Sequence, residues 1–271
     1  MGPGPGGALT APVALVTGTG LYALDGLEGG RAREVETPHG RVTVTEGALD
    51  GTPVAHLPRH GAGHARLSHQ VDPRANVAAV AALGARCLVS TTVCGAVDPS
   101  LDLGSLVVFD DLHFPSNRLA DGSLCTLFTD PGAPGRGHWI HEGPFAAGVR
   151  DALLRGARAE GLPVRDGGTY GHVDGPRFNT RSEIAALAAA GVAAVSQTAG
   201  PEAVLAGEAG LPFALLGFVT DHANGVMPEP TPAETLERLF RGSAAVLQRA
   251  LRAALPHLAD PGPPAGFVFR L

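Results

Sequence analysis

The chain has 271 residues and a net charge of −6, which excludes the basic stripe of a nucleic-acid binder. Hydrophobic residues make up 44% but aromatics only 5%, so a sizeable core must be packed mostly by Ala, Val and Leu. No run reaches the roughly 18 apolar residues of a membrane span, and the Gly/Pro-rich start lacks the basic and apolar regions of a signal peptide. Cys87, Cys94 and Cys125 are too scattered for a disulfide framework or a zinc cage, so a soluble cytoplasmic protein is expected.

In chain order, residues 1–11 read as a flexible lead-in. Residues 13–17 are a short apolar run bounded by glycine, hence a buried strand. Residues 41–46 alternate polar and apolar after the Pro38-His39-Gly40 turn, and 54–57 form another short strand. Residues 74–83 are Ala-rich with helical spacing, while 87–91 and 106–109 are short β-branched runs. Residues 115–137 carry Ser, Asn, Gly and Pro in loop proportions. Next come an amphipathic helix at 145–160, a strand at 169–173, a helix at 182–190 and a strand at 193–195. A helix at 202–209, an apolar run at 213–219, a long helix at 232–255 and a Pro-rich tail at 259–271 complete the chain. Strands alternating with helices predict an α/β fold in one domain, residues 12–258, with a central mixed β-sheet flanked by helices.

Gly18-Thr19-Gly20 follows the first strand. With Ala23 and Glu36 it matches a loose dinucleotide fingerprint, but that fingerprint needs a helix directly after the loop. Asp25-Gly26 and Gly29-Gly30 interrupt any such helix. The loop is then either a bare tight turn or a nest of backbone N–H groups with the Thr19 hydroxyl as a further donor. Arg59-His60-Gly61 and Thr91-Thr92-Val93-Cys94-Gly95 also stand at strand ends, and Thr198 follows residues 193–195 in the same way. Ligands of α/β sheets bind at such ends. Together a guanidinium and several hydroxyls describe a phosphate pocket. His60, His64 and His69 invite a metal reading, but no His-Glu-x-x-His pattern accompanies them. Cys94 reads as a small buried residue, because no base stands beside it in sequence.

These motifs recur in a fixed order with Asp174-Gly175-Pro176-Arg177-Phe178, Pro201-Glu202-Ala203-Val204-Leu205-Ala206 and Thr220-Asp221. The ordered set resembles the methylthioadenosine phosphorylase and purine nucleoside phosphorylase family, from about Val13 to the long C-terminal helix. The resemblance implies a homotrimer with active sites near subunit interfaces. It implies phosphate held by Thr19, Arg59, His60, Thr92 and Thr198, with inorganic phosphate as co-substrate and neither cofactor nor metal. Asp221 would meet N7 of the purine, and Phe178 would pack on its face. Val93, Cys94, Gly95, Asp174, Gln197, His222 and Ala223 would contact base or ribose. His138 would approach the 5′ end of the ribose of a neighbouring subunit.

This chain departs from the family pattern in four places. Asp72-Pro73 stands for Asn-Tyr, Asp174 for Glu and Gln197 for Met, and Ala223 replaces a second aspartate. The phosphate set is intact. The implied reaction is phosphorolysis of a 5′-deoxy-5′-modified adenosine such as 5′-methylthioadenosine, with Asp221 neutralising the leaving purine. Phosphorolysis of 6-oxopurine nucleosides is the second reading, and a non-catalytic nucleoside-binding relative the third.

Overall fold

The computed structural model describes residues 11–271, so all but the last residue of the expected lead-in lies outside the described residues. The chain opens with β1 Val13–Thr17, β2 Glu28–Thr37, β3 Gly40–Leu49 and β4 Thr52–Pro58. Helix α1, Pro73–Ala82, follows. Next come β5 Cys87–Ala96, β6 Leu106–Val108, β7 Asp111–His113 and β8 Gly137–Ile140. Helix α2 Ala147–Ala159 leads to β9 Val164–Asp166 and β10 Thr169–His172. Helix α3 Arg181–Ala189, β11 Val192–Ser196, α4 Ala199–Glu208 and β12 Phe213–His222 build the second half. Helix α5 Ala233–Ala254 and β13 Phe267–Arg270 close it.

Eleven strands form one mixed sheet, and β8 and β13 form a separate antiparallel pair. Alternate residues of the central strands enter two different cores, as period-two side chains must. Val16, Leu88 and Leu215 pack on one face, and Leu15, Val89 and Leu216 on the other. Residues of α1 and α4 cover the first face and those of α2 and α5 the second. Burial on both faces explains why β1 and β12 read as continuous apolar runs rather than alternating ones.

Local chemistry sets the helix ends. Asp72 caps α1, accepting from the backbone N–H of Arg74 at 3.0 Å and of Ala75 at 3.2 Å, with Pro73 in the first turn. The Asp72-Pro73 departure from the family pattern is thus a helix start. Thr180 and Glu183 form a reciprocal capping box on α3.

Short strands β7 and β9 were not expected, and two further segments differ from expectation. The hairpin strand β2 was not expected, because charged residues dominate it and only Val35 is buried. It is held instead by pairing with β3 across the Pro38-His39 turn. The expected tail contains β13, whose apolar run Phe267-Val268-Phe269 pairs with β8, so His138 sits on a strand rather than in a loop.

His172 at the end of β10 is half-buried, edge-on against Phe114 with ring centroids 4.5 Å apart, and its buried Nδ1 has no hydrogen-bond partner among the described residues. Burial lowers its pKa to about 3. A depressed folded pKa supports stability above the unfolded value near 6.5, lost as pH falls toward the folded value. Urea midpoints at pH 7 and 4.5 should therefore differ less in His172→Leu than in the parent; an unchanged gap would clear this residue of the acid sensitivity.

Candidate active site

The sheet opens at β5. Strand β1 pairs with residues Cys87 to Ser90, and β11 pairs with Gly95 and Ala96 on the same side. Between these partners, residues 91–94 have no strand neighbour on that side, while β12 runs along the opposite side. A cavity of about 290 Å³ occupies the gap. Thr92, Val93, Cys94 and Gly95 line it directly. The ends of β1, β4 and β11 deliver Thr19, His60, Gln197 and Thr198, while Phe178 arrives on the loop after β10. Asp221 and Ala223 come from the end of β12.

One end of the cavity is rich in hydroxyls. Thr198 is the N-cap of α4 but makes no capping hydrogen bond with its side chain, so its hydroxyl is left for a ligand. The positive end of the α4 dipole faces the same place, a ready anion site. Thr92 bonds Ser196 through their hydroxyls at 2.8 Å. Gly18 N–H donates to Thr91 Oγ1 at 3.2 Å, which ties the glycine loop to β5 beside Thr19.

His60 is buried at the same end. Its Nδ1 lies 3.0 Å from the Arg66 carbonyl, an acceptor, so Nδ1 carries the proton and Nε2 keeps a lone pair. Burial first, and the neighbouring Arg59 second, lower its pKa to about 4. His60 is therefore a neutral ring at pH 7. His64 stacks on it at 4.5 Å and bonds Tyr22 through Nδ1 at 2.8 Å. Parallel rings do not converge on a point, and His69 borders a separate cavity.

Arg59 is not the open fork expected. Its side chain is fully buried and absent from the cavity wall. Nε and Nη2 donate to the two oxygens of Glu202 at 2.5 and 2.7 Å, and Nη1 to the Thr91 carbonyl at 3.0 Å. A guanidinium this deep needs a carboxylate partner, and Glu202 one turn into α4 supplies it.

The carboxyl enters the cavity beside Gly95. The β5–β12 register shifts between Val219 and Asp221, which brings Asp221 opposite Gly95. The Thr220 hydroxyl donates to Asp221 Oδ1 at 2.8 Å. A β-carbon on Gly95 would stand 3.2 Å from Asp221 Oδ2, so glycine leaves that oxygen room. Burial raises the pKa of Asp221 against the lowering effects of Thr220 and His222. The Cys94 thiol is pushed up chiefly by burial and secondarily by Asp221, which suits an inert wall residue.

Besides Arg59, three expected residues fall outside the wall. His222 alternates with Asp221 and Ala223 and so points away; its backbone N–H donates to Thr231 Oγ1 at 3.1 Å. Likewise Val173 faces this cavity, whereas His172 and Asp174 face a second one of about 310 Å³. His138 lies on the β8–β13 pair and is exposed. Sequence reasoning missed Ser196 and Thr220, each beside an expected residue. It also missed Ser68, whose hydroxyl donates to Gln197 Oε1 at 2.9 Å across 129 residues, a contact with no local signal.

Known proteins resemble this chain over nearly its whole length. The model of the phosphorylase superfamily matches residues 12–256. S-methyl-5′-thioadenosine phosphorylase of Mycobacterium tuberculosis is 36% identical over 252 residues, covering 92% of this chain and 90% of the relative. The 6-oxopurine nucleoside phosphorylase of Pyrococcus furiosus is 33% identical over 250 residues, covering 90% and 92%. A solved structure of methylthioadenosine phosphorylase from Schistosoma mansoni in complex with adenine superposes with a TM-score of 0.83 at 28% identity, covering 92% of this chain and 91% of that one. Matched over nearly its whole length, the chain belongs to the phosphorylase superfamily, among its nucleoside phosphorylases.

Proposed function

We propose that the protein cleaves the N-glycosidic bond of a purine nucleoside with phosphate, acting on a 5′-deoxy-5′-modified adenosine such as 5′-methylthioadenosine. The observation that carries this reading is that the α4-end hydroxyls and the half-buried Asp221 share one cavity. Phosphate on Thr19, Thr92 and Thr198 attacks the anomeric carbon of the ribose. The glycosidic bond breaks with its electron pair on the purine, and protonated Asp221 donates to N7. The products are free purine and a ribose 1-phosphate. Phe178, 62% exposed at the cavity lip, offers a face for the base, and Gln197 stands beside the sugar. The co-substrate is inorganic phosphate, and the chemistry calls for no metal or organic cofactor. Three free, buried cysteines suit a reducing compartment, the cytoplasm. Thr19, Thr92, Thr198 and Asp221 in one cavity argue against a merely binding relative.

Ala223 favours a second reading, a 6-oxopurine substrate. Its methyl group occupies the wall where a second carboxylate would accept from a 6-amino group. Phosphate-dependent release of base from methylthioadenosine, adenosine, inosine and methylthioinosine separates the two. We expect methylthioadenosine to show the highest kcat/KM. Preference for either inosine substrate would install the second reading, and cleavage indifferent to phosphate would refute both.

The assembly we infer is a homotrimer. His138, Ile140, Phe267, Phe269 and Leu271 share one face of the β8–β13 pair, and the four apolar members are 49 to 73% exposed. Such a patch suits an interface, and it carries the histidine expected at a neighbour's ribose. Light scattering should show a trimer, and Phe269→Glu should dissociate it while raising the KM for nucleoside. An active parent monomer would contradict this.

A further inference from the structure

We propose that Glu202 is a positioning residue of the phosphate end, acting through Arg59; this rests on the phosphorylase reading. Glu202 touches no ligand, since its side chain is fully buried and outside the cavity wall. It is the hub of a strut that joins four elements. Its carboxylate takes two N–H donors of Arg59, just past β4, at 2.5 and 2.7 Å, and the Ser90 hydroxyl of β5 at 2.8 Å. Arg59 in turn donates from Nη1 to the Thr91 carbonyl, and its backbone N–H bonds the Thr17 carbonyl at the end of β1. The glycine loop approaches the guanidinium closely: a β-carbon on Gly18 would stand 2.7 Å from Nη1.

Each hydroxyl of the cradle follows from this strut. Thr19 is the residue after Gly18, Thr92 the residue after Thr91, and Thr198 stands one helical turn before Glu202. Three parts of the chain, remote in sequence, are therefore aligned by one carboxylate. Two of the five guanidinium N–H groups have no protein acceptor among the described residues, so Glu202 also decides which way those donors point.

Glu202→Gln keeps the volume but presents an amide N–H where Arg59 needs an acceptor. The apparent KM for phosphate should rise about tenfold or more while the KM for nucleoside stays within about twofold. Phosphate should also raise the Tm of the parent and have much less effect on the variant. Glu202→Asp should recover part of both. A folded Glu202→Gln protein with the parental phosphate KM would overturn the role.

Should that variant fail to fold, Arg59→Met with Glu202→Leu replaces the strut by apolar volume. Weak phosphate response in a folded double variant supports the positioning role, and a parental response overturns it. A parent that phosphate neither stabilises nor activates would instead overturn the phosphorylase reading, and this role with it.

Discussion

Asp221→Asn is expected to slow cleavage of 6-aminopurine nucleosides by about 10²–10⁴-fold, the range for loss of a general acid. The substitution keeps the shape and the bond to the Thr220 hydroxyl, but the side chain no longer has a proton to give to N7. Inosine-type substrates should suffer less, because the new amide can donate to their 6-oxygen. Steady-state kinetics on paired substrates measures both effects, and equal losses would show that Asp221 does not read the 6-position. The pH dependence has a definite sign. Burial lifts this carboxyl above the ordinary aspartate value near 3.8, so kcat should fall as pH rises through the shifted value. The variant should lack that limb. A raised folded pKa also contributes stability that is present below the unfolded value and lost as pH rises through the folded one. Asp221→Asn should therefore be the more stable protein at pH 7, with the difference vanishing in acid.

Arg59→Ala should be the most destabilising change at the site. It leaves Glu202 and Ser90 in a dry core with the carboxylate unpaired, for which a loss of about 3–5 kcal/mol is expected. Urea unfolding at pH 7 measures the loss. Kinetics on the folded fraction should show the phosphate KM rising far more than that of nucleoside, since the hydroxyl cradle has lost its backing. Equal effects on both constants would detach Arg59 from the phosphate end. Less than about 1 kcal/mol lost would mean that the pair relaxes into water.

Much of this architecture was legible because its signals are local. Val13 to Thr17 and Phe213 to Val219 are apolar in every position or nearly so, and a strand buried on both faces has to be. Helix α5 buries Leu239, Ser243, Leu247, Ala250, Leu251 and Ala254, a stripe of helical period. Strand β2 was not legible because a turn-held neighbour, not its own hydrophobicity, keeps it, and β13 because a short apolar run in a Pro-rich tail gives no sign of its partner about 130 residues away.

At the site, the sequence by itself determined which chemical groups are present and in what order: hydroxyls and glycines at strand ends, one carboxyl after the last core strand, and an arginine beside a histidine. Only the tertiary structure decided how each is used. It turned His222 away from the cavity, because side chains alternate along a strand and the phase is set by pairing, and it left Asp174, two residues past β10, at a second cavity. It placed Arg59 behind the wall, because Glu202, 143 residues later, reaches it first. It raised the pKa of Asp221, because dryness depends on what packs around a carboxyl rather than on its neighbours in sequence.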